Sequence, residues 1–541
     1  MGKRKFSSPE QSLDTDSGSD FSASDDQFEV PCSSKTRRKS TSRPSKKRTR
    51  HDGANDVSGA LPIYSSHAKS IHVMDAADVS SIRTALVQWY ETVHLLRQMP
   101  WRKQHNPTLD HEQRAQRAYE VWISEIMLQQ TQVATVIPYY NRWLERFPTI
   151  RDLAGASIDE VNSLWKGLGY YSRASRLLAG AKKAVEDYGG RLPDNAKDMQ
   201  ANIPGIGRYS AGAICSIAYG ENVPVLDGNV NRLLSRFLAL HAPPKAKKTL
   251  DILWNAASAM VQDLSSSSEY PGDINQALIE LGSTVCKVRD PTCASCPLRT
   301  WCAAYTATQI NNPTTPPTDI EDLCNICEPL TDDTSVTAYP MKANKKKARE
   351  ELDIVNVVEW RSGSDRQFML VRRPEGGLLA GLDEFPTSPN VPASMSRARQ
   401  LKIPQEILAD FLHRDVQLLD AAQKPIPKGP NLGLRIAKVQ PAGDVVHVFS
   451  HIKKTYRVQW VLLEGTSDVP ELASAGALGD SSNTAKTKGK AKSRKADKIS
   501  NVMPCSTWVP LDEVATKNMG TGSMKVWNLC RTLWEAENYS T

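Results

Sequence analysis

Four cysteines, Cys286, Cys293, Cys296 and Cys302, stand in the spacing C-x6-C-x2-C-x5-C. Thiolates at such intervals ligate metal, and the spacing alone admits either a four-thiolate zinc site or an iron–sulfur cluster. The plain alternative is four unrelated buried thiols. Two carboxylates upstream are the next candidates for chemistry. Asp227 lies in Val225-Leu-Asp-Gly-Asn-Val-Asn-Arg232, an acid in an apolar setting, and Glu125 lies among Ile123, Ile126, Met127 and Leu128. On a helix Glu125 can face an apolar pocket, where desolvation raises its pKa and suits it to act as a general acid. Each acid also has a structural reading: Asp before Gly-Asn-Val suits a helix N-cap, and a glutamate on an amphipathic helix suits a solvated face. A third feature, Ile203-Pro-Gly-Ile-Gly-Arg-Tyr-Ser-Ala-Gly-Ala213, reads as a helix, a glycine hairpin and a second helix. Gly205 and Gly207 would allow the sharp turn and close backbone approach, and unpaired amides at the second helix's start would grip phosphate. A glycine helix C-cap accounts for such a hairpin equally well.

The elements that must position these groups follow from periodicity. From about Ala76 to Ala307, apolar residues recur at three and four, with Gly, Pro and Asn between the runs, which predicts one all-α unit. Asn312-Pro-Thr-Thr-Pro-Pro-Thr318 and Lys345-Lys-Lys347 have linker composition. Beyond Leu352 the pattern becomes short β-type runs, such as Phe368-Met-Leu-Val371 and Tyr456-Arg-Val-Gln-Trp-Val-Leu462. In the second of these Tyr456, Val458, Trp460 and Leu462 share one face, so an α+β domain is expected. The predicted organisation is a disordered tail over 1–75, a helical domain over 76–310, a linker over 311–349 and an α+β domain over 350–541. Within the last, 466–500 reads as a disordered insertion, with seven basic residues between Lys486 and Lys498 against one acid, and it offers an extra phosphate contact.

Composition narrows the function classes. The chain carries 68 Lys and Arg against 60 Asp and Glu, a net charge of +8 that fits a polyanionic partner. The tail is rich in Ser, Asp, Lys and Arg and cannot bury enough apolar surface to order itself. Its runs Thr36-Arg-Arg-Lys39 and Lys46-Lys-Arg-Thr-Arg50 read either as nuclear import signals or as a solvated, nucleic-acid-binding tail. No apolar stretch follows Met1 and none reaches transmembrane length, so a soluble, non-secreted and membrane-free chain is expected, as a monomer. Glu10, Asp14 and Asp16 argue against a mitochondrial presequence, although an alternative start leaves a mitochondrial form open. Ten cysteines in such a chain favour metal ligation or free thiols over disulfides.

The order of glycine hairpin, aspartate and cysteine knot resembles the endonuclease III, or helix-hairpin-helix, superfamily of DNA glycosylases. Trp122-Ile-Ser-Glu-Ile-Met-Leu-Gln-Gln-Thr-Gln-Val-Ala-Thr-Val-Ile-Pro-Tyr-Tyr140, Leu164-Trp-Lys-Gly-Leu-Gly-Tyr-Tyr171 and Leu226-Asp-Gly-Asn229 are similar to the adenine DNA glycosylases of the MutY type. That resemblance spans 80–305 and implies a base-excision repair enzyme that removes adenine mispaired with 8-oxoguanine or guanine. It implies that the four cysteines hold a [4Fe-4S] cluster. By the same resemblance Glu125 protonates the adenine at N7 and later helps activate water. Asp227 stabilises the oxocarbenium-like sugar or traps it covalently, as the second carboxylate does in retaining glycosidases. Tyr209 and Asn229 become supporting polar groups, and Trp101, Arg102 and Glu280 line the adenine pocket. Related enzymes that also cut the backbone carry a lysine where this chain has Tyr209, and tyrosine cannot form the Schiff base. Hydrolysis to an abasic site without strong lyase activity is therefore expected. The target adenine must be flipped from the duplex. Gln130, Leu168 and Tyr170 match the family's intercalating and lesion-contacting positions, and Thr131 matches a hydrogen-bond partner of the lesion. The segment 103–118 is longer than in bacterial relatives.

Met369-Leu-Val-Arg-Arg-Pro-Glu-Gly-Gly-Leu-Leu-Ala-Gly-Leu-Asp-Glu-Phe-Pro386 is similar to the Nudix-like C-terminal domain of these glycosylases. Ser394 to Asp410 lacks the R-E-x-x-E-E acids that hold magnesium in Nudix hydrolases, so a binding fold is expected rather than a hydrolase. Phe449, Ser450 and His451 match the family's 8-oxoguanine-reading loop, and Asp383 stands where relatives carry an aromatic. Cys324-Asn-Ile-Cys327 resembles the zinc linchpin of animal relatives, which uses three linker cysteines and an earlier histidine. Only two cysteines are present here, with His72 as a candidate histidine. Repair or replication proteins bound through the linker are expected partners besides mispaired DNA. The alternatives are a glycosylase for another base and a non-catalytic helix-hairpin-helix DNA or chromatin factor. The presence of both Glu125 and Asp227 argues against the latter.

Overall fold

A computed structural model describes residues 67–538 except 265–268, 310–318, 331–334, 344–346, 375–378, 413–416, 419–433, 450–451 and 474–504. Most of the predicted tail, Ser450, His451 and the basic stretch Lys486–Lys498 lie outside the described residues. The helical part contains α1 (Ala76–Val93), α2 (His111–Leu128), α3 (Val133–Arg146), α4 (Ile150–Gly155), α5 (Ile158–Trp165) and α6 (Ser172–Tyr188). It continues with α7 (Ala196–Asn202), α8 (Arg208–Ile214), α9 (Gly228–Phe237), α10 (Lys247–Val261), α11 (Pro271–Thr284) and α12 (Ala303–Gln309). No described helix is long and apolar enough to cross a membrane.

The chain forms two compact units. The first takes residues up to 109, 128–132 and 208–343. Here α11 packs against α1, α9 and α10. It buries Ile274, Ala277, Leu278 and Leu281, the period of a helix whose stripe faces a core, and α1 answers with Val79, Ile82, Leu86 and Tyr90. Gly282 permits a close crossing: a Cβ there would stand 2.7 Å from the backbone oxygen of Asn229. The segment expected to be a linker folds onto this unit, with Val336 and Tyr339 buried beside Ala239 and Ala304. Residues 69–72, inside the predicted tail, form a 3₁₀ turn whose preceding Ala68 bridges Leu323. Composition could not show this, because the ordering comes from distant partners, the Leu238 carbonyl at His72 and Leu323 at Ala68.

The second unit takes 110–127, 133–207 and 344–541. Its helices close around Trp122, Trp143 and Trp165, all essentially inaccessible, with Trp143 set edge-on to Trp165 at 5.5 Å. The α+β part consists of β1 (Arg349–Ser362), β2 (Asp365–Arg372), β3 (Asp383–Glu384), β4 (Thr387–Ser388), α13 (Arg397–Gln400) and α14 (Ile403–Phe411). β5 (Gln417–Leu418), β6 (Arg435–Val448), β7 (Ile452–Glu464), β8 (Ser506–Pro510) and α15 (Thr521–Asn538) complete it. The sheet runs β3-β2-β1-β7-β6-β5, with β4 on β1 and β8 on β2. β1 pairs in parallel with β7 and antiparallel with β2. Alternation in β7 works as the sequence suggests. Val458, Trp460 and Leu462 pack with Val526, Trp527 and Trp534 of α15, and Val461 and Leu463 face Leu408 of α14.

Candidate active site

Asp227 is the N-cap of α9. Its backbone is extended, and its Oδ1 accepts the Val230 amide at 2.7 Å, so the capping role foreseen in the sequence is present. Its Oδ2 accepts the Asn229 side-chain amide at 2.8 Å. Asn229 Oδ1 in turn accepts from Arg232 Nη2 at 2.9 Å, and Arg232 Nε donates to the Cys286 carbonyl at 2.9 Å. A hydrogen-bonded line thus runs from the carboxylate to the first cysteine of the knot. Burial pushes the Asp227 pKa above its ordinary value, while the Val230 and Asn229 donors and the Arg232 charge oppose the shift. Arg232 was absent from the sequence-derived set, although its place three residues after Asn229 on one helix was a readable signal.

Glu280, in α11, is 1% exposed. Arg97 Nη1 donates to both of its oxygens at 3.1 Å, and Arg102 Nη2 lies at 3.7 Å. Arg102 Nη1 donates to the Tyr90 hydroxyl at 2.8 Å. Burial raises the Tyr90 pKa, against the pull of Arg102. Trp101 is 3% exposed. Glu280 and Arg102 are therefore brought together, and Arg97 joins them as a member that sequence reasoning missed. Tyr209, the second residue of α8, is half-buried.

Glu125 lies in the last turn of α2, half-buried between the buried Ser124 and Ile126. The end of that helix is held by Arg173. This buried arginine donates to the carbonyls of Ile126 at 2.7 Å and Met127 at 3.1 Å, and to those of Leu168 and Gly169 at 3.3 and 3.2 Å. Desolvation lowers its pKa to about 10. Arg173 was likewise not foreseen, since nothing distinguishes it in sequence from a surface arginine.

Two of the predicted DNA-contacting positions have strained backbone. Gln130 has φ +54° and Tyr170 φ +48°, a left-handed region that non-glycine residues seldom occupy and that concentrates at functional turns. Gln130 is exposed, Thr131 half-buried, and Tyr170 47% exposed, whereas Leu168 is only 6% exposed. Gly167 is needed where it stands, because φ is +95° and a Cβ would lie 2.6 Å from the Tyr139 hydroxyl. In the glycine hairpin Gly205 has φ +82° and a Cβ would meet Arg176 at 2.6 Å. Gly207 has no neighbour within 4 Å of such a Cβ, so its protein surroundings leave that space open. Phe449 is half-buried, its amide donating to Ile452 O at 2.7 Å and its ring edge-on to His447 at 4.6 Å.

Residues 123–258 match the model of the HhH-GPD superfamily of base excision DNA repair proteins. The chain is 39% identical over 423 residues to the adenine DNA glycosylase of Homo sapiens, covering 75% of this chain and 72% of that one. It is 41% identical over 404 residues to the adenine DNA glycosylase of Rattus norvegicus, covering 72% of each. To that of Schizosaccharomyces pombe it is 35% identical over 418 residues, covering 74% of this chain and 85% of the relative. The chain belongs to the adenine DNA glycosylase family. It is accordingly a base-excision repair enzyme that removes adenine.

Two cysteine-bearing groups are also present among the described residues. Cys286, Cys293, Cys296 and Cys302 line one cavity, with apolar side chains including Leu233, Phe237, Val285 and Leu298 and with the arginines Arg236 and Arg299. Burial pushes the Cys296 thiol up to about 12 and that of Cys302 to about 11. The buried Arg236 donates to the Cys286 sulfur at 3.3 Å, to the Lys287 and Val288 carbonyls, and to the Tyr339 carbonyl at 2.9 Å. The second group is His67, His72, Cys324 and Cys327, whose donor atoms all lie within 4.8 Å of one another. His72 Nε2 stands 3.4 Å from Cys324 Sγ and 3.3 Å from Cys327 Sγ, and its Nδ1 is 2.8 Å from the Leu238 carbonyl. The sequence reading named three of these four residues. His67 completes the set where a third cysteine was sought.

Proposed function

We propose that this chain hydrolyses the N-glycosidic bond of adenine mispaired with 8-oxoguanine, and with guanine, and leaves an abasic site without a strong lyase step. Glu125 is the general acid. It gives a proton to N7 of the flipped adenine, the C1′–N9 bond breaks with its electron pair leaving on the base, and positive charge grows on the sugar. The Asp227 carboxylate faces that charge. Water then adds at C1′ and returns a proton to Glu125. Arg97, Trp101, Arg102 and Glu280 shape the adenine pocket, and Tyr209 and Asn229 hold polar contacts beside it. Gln130, Thr131, Leu168, Tyr170 and the Gly205–Gly207 hairpin contact the duplex, and 350–541 is the Nudix-like domain that reads the opposite base through Phe449, Ser450 and His451. For Leu168 to enter the duplex the 167–170 loop must turn it out of its buried position. The observation that carries this reading is the half-buried Asp227 carboxylate, held by several donors that favour its charged form.

The cysteine quartet fits a [4Fe-4S] cluster. All four thiols line one cavity, and the spacing C-x6-C-x2-C-x5-C together with the family resemblance favours the cluster over zinc. Such a cluster ties the loop together and adds a redox-capable centre. The second group fits tetrahedral zinc: two imidazoles, two thiols, and an outer carbonyl at the other nitrogen of His72. The basic runs of the tail support nuclear localisation. Single-turnover adenine release by Glu125→Gln tests the acid assignment: a rate lowered by about 10²–10⁴-fold is expected, and an unchanged rate would remove Glu125 from this role.

A further inference from the structure

The exposed ends of α5 are held by the α+β part of the same compact unit. At its start, Asp159 Oδ1 accepts from Arg372 Nη2 at 2.6 Å, and the Asp159 carbonyl accepts from Asn518 Nδ2 at 3.1 Å. At its end, Lys166 Nζ donates to the carbonyls of Ala515 at 2.8 Å and Lys517 at 3.3 Å. The turn that supplies those carbonyls is itself fastened to the sheet. Asp383 donates its amide to Asn518 O at 2.9 Å and bridges Met519, and Arg372, at the end of β2, is the register partner of Asp383. Asp383 therefore places a second carboxylate beside the guanidinium that grips Asp159. Hydrogen bonding to Asp159 raises the Arg372 pKa, and burial beside Asp159 raises that of Asp383 against the pull of Arg372.

Lys166 is also the residue from which the 167–170 loop departs. Its carbonyl accepts the Tyr139 hydroxyl at 2.7 Å, and Trp165 Nε1 donates to Gly169 O at 2.8 Å. One short rigid helix thus joins the sheet's grip at residues 159 and 166 to the left-handed turn at Tyr170. Displacement of the sheet would reach the loop as rigid-body motion of α5 rather than being absorbed in a flexible connection.

We propose that Asp159 and Lys166 are positioning residues that set specificity, forming a latch through which recognition of the base opposite adenine by 350–541 presets the 167–170 loop. This rests on the mispair reading given under Proposed function. Neither residue touches the reacting atoms, so the latch should leave intrinsic base release intact and act on discrimination.

The test is single-turnover adenine release by the full-length chain on duplexes with adenine opposite 8-oxoguanine and opposite guanine. Wild type is compared with Asp159→Asn, Lys166→Met and the charge exchange Asp159→Arg with Arg372→Asp. Amide hydrogen exchange over 166–170 is followed in each. Asp159→Asn and Lys166→Met should keep the wild-type rate on adenine opposite guanine and lose about tenfold of the preference for 8-oxoguanine, within the roughly 5–150-fold range of such couplings. Exchange at 166–170 should quicken in both, and the charge exchange should restore preference and protection. A wild type that discriminates, with folded variants that keep its full discrimination, would overturn the latch and leave the mispair reading standing. Equal loss on both duplexes would reduce these residues to scaffolding and overturn the proposal too. A wild type without preference would refute the mispair reading first and the latch with it.

Discussion

Replacing Asp227 by Asn separates its capping role, seen in the structure, from the catalytic role proposed for it. Asparagine caps helices about as well as aspartate, so the Val230 amide, now bonded at 2.7 Å, keeps an acceptor. The charge disappears. At an effective dielectric of about 20 and a separation of about 3.5 Å, one unit charge facing another is worth about 5 kcal/mol, or about 10³–10⁴-fold in rate. Asp227→Asn should therefore fold normally, with an unfolding free energy within about 1 kcal/mol of wild type, and release adenine about 10³–10⁴-fold more slowly. Asp227→Ala should lose both, with about 0.5–2 kcal/mol of stability gone with the cap. The pH dependence has a definite sign. A carboxylate whose folded pKa is raised binds its proton more tightly in the native state. Its favourable contribution is full below the unfolded value near 3.8 and is lost as pH rises through the folded value. Denaturant titrations at several pH values should thus show Asp227→Asn gaining on wild type between pH 3.8 and neutrality, while the wild-type rate falls on acidification before pH 3.8 is reached. An Asn variant that releases adenine within tenfold of wild type, or one as unstable as the Ala variant, would refute the reasoning.

Three further outcomes follow from the same geometry. Arg97→Met leaves the buried Glu280 with Arg102 as its neighbour at 3.7 Å, and should cost about 1.5–3 kcal/mol in denaturant unfolding and raise KM more than it lowers kcat. Arg173→Met strips donors from four buried or half-buried carbonyls and should destabilise the fold by roughly 3 kcal/mol, with faster amide exchange at both the end of α2 and the 167–170 loop. Elemental analysis should find one zinc per chain besides the iron. His67→Ala should abolish zinc retention, His67→Cys should restore it, and iron content should be unchanged in both.

What the sequence disclosed and what it hid divide along physical lines. Regular patterns were readable: period two in Tyr456–Leu462 forecast a strand with a Trp460 face, and the recurrence at three and four from Ala76 to Ala307 forecast helices such as α11. The capping chemistry of Asp227 was readable because it is local, four residues long. The partners of Glu280, of the Ile126 carbonyl and of Cys327 were not, because Arg97, Arg173 and His67 come from distant segments and are ordinary residue types in ordinary surroundings. His67 was hidden for a second reason. Composition predicts disorder up to residue 75, yet residues 68–72 are held by Leu323, Cys324 and Leu238, and a histidine stands where the resemblance calls for a third cysteine. The demands of the glycines were only partly legible, since Gly205 is required by backbone conformation and by Arg176, whereas the surroundings of Gly207 do not require it.

The central claim is tested most directly by single-turnover incubation of the iron-loaded chain with a duplex carrying one adenine opposite 8-oxoguanine, followed by chromatography of the released base and electrophoresis of the strand before and after alkali. The expected products are free adenine and a strand that breaks only on alkali treatment, with no release from an otherwise identical duplex that pairs adenine with thymine. Binding of the mispaired duplex without release of adenine, or strand scission before alkali at the rate of base loss, would contradict it.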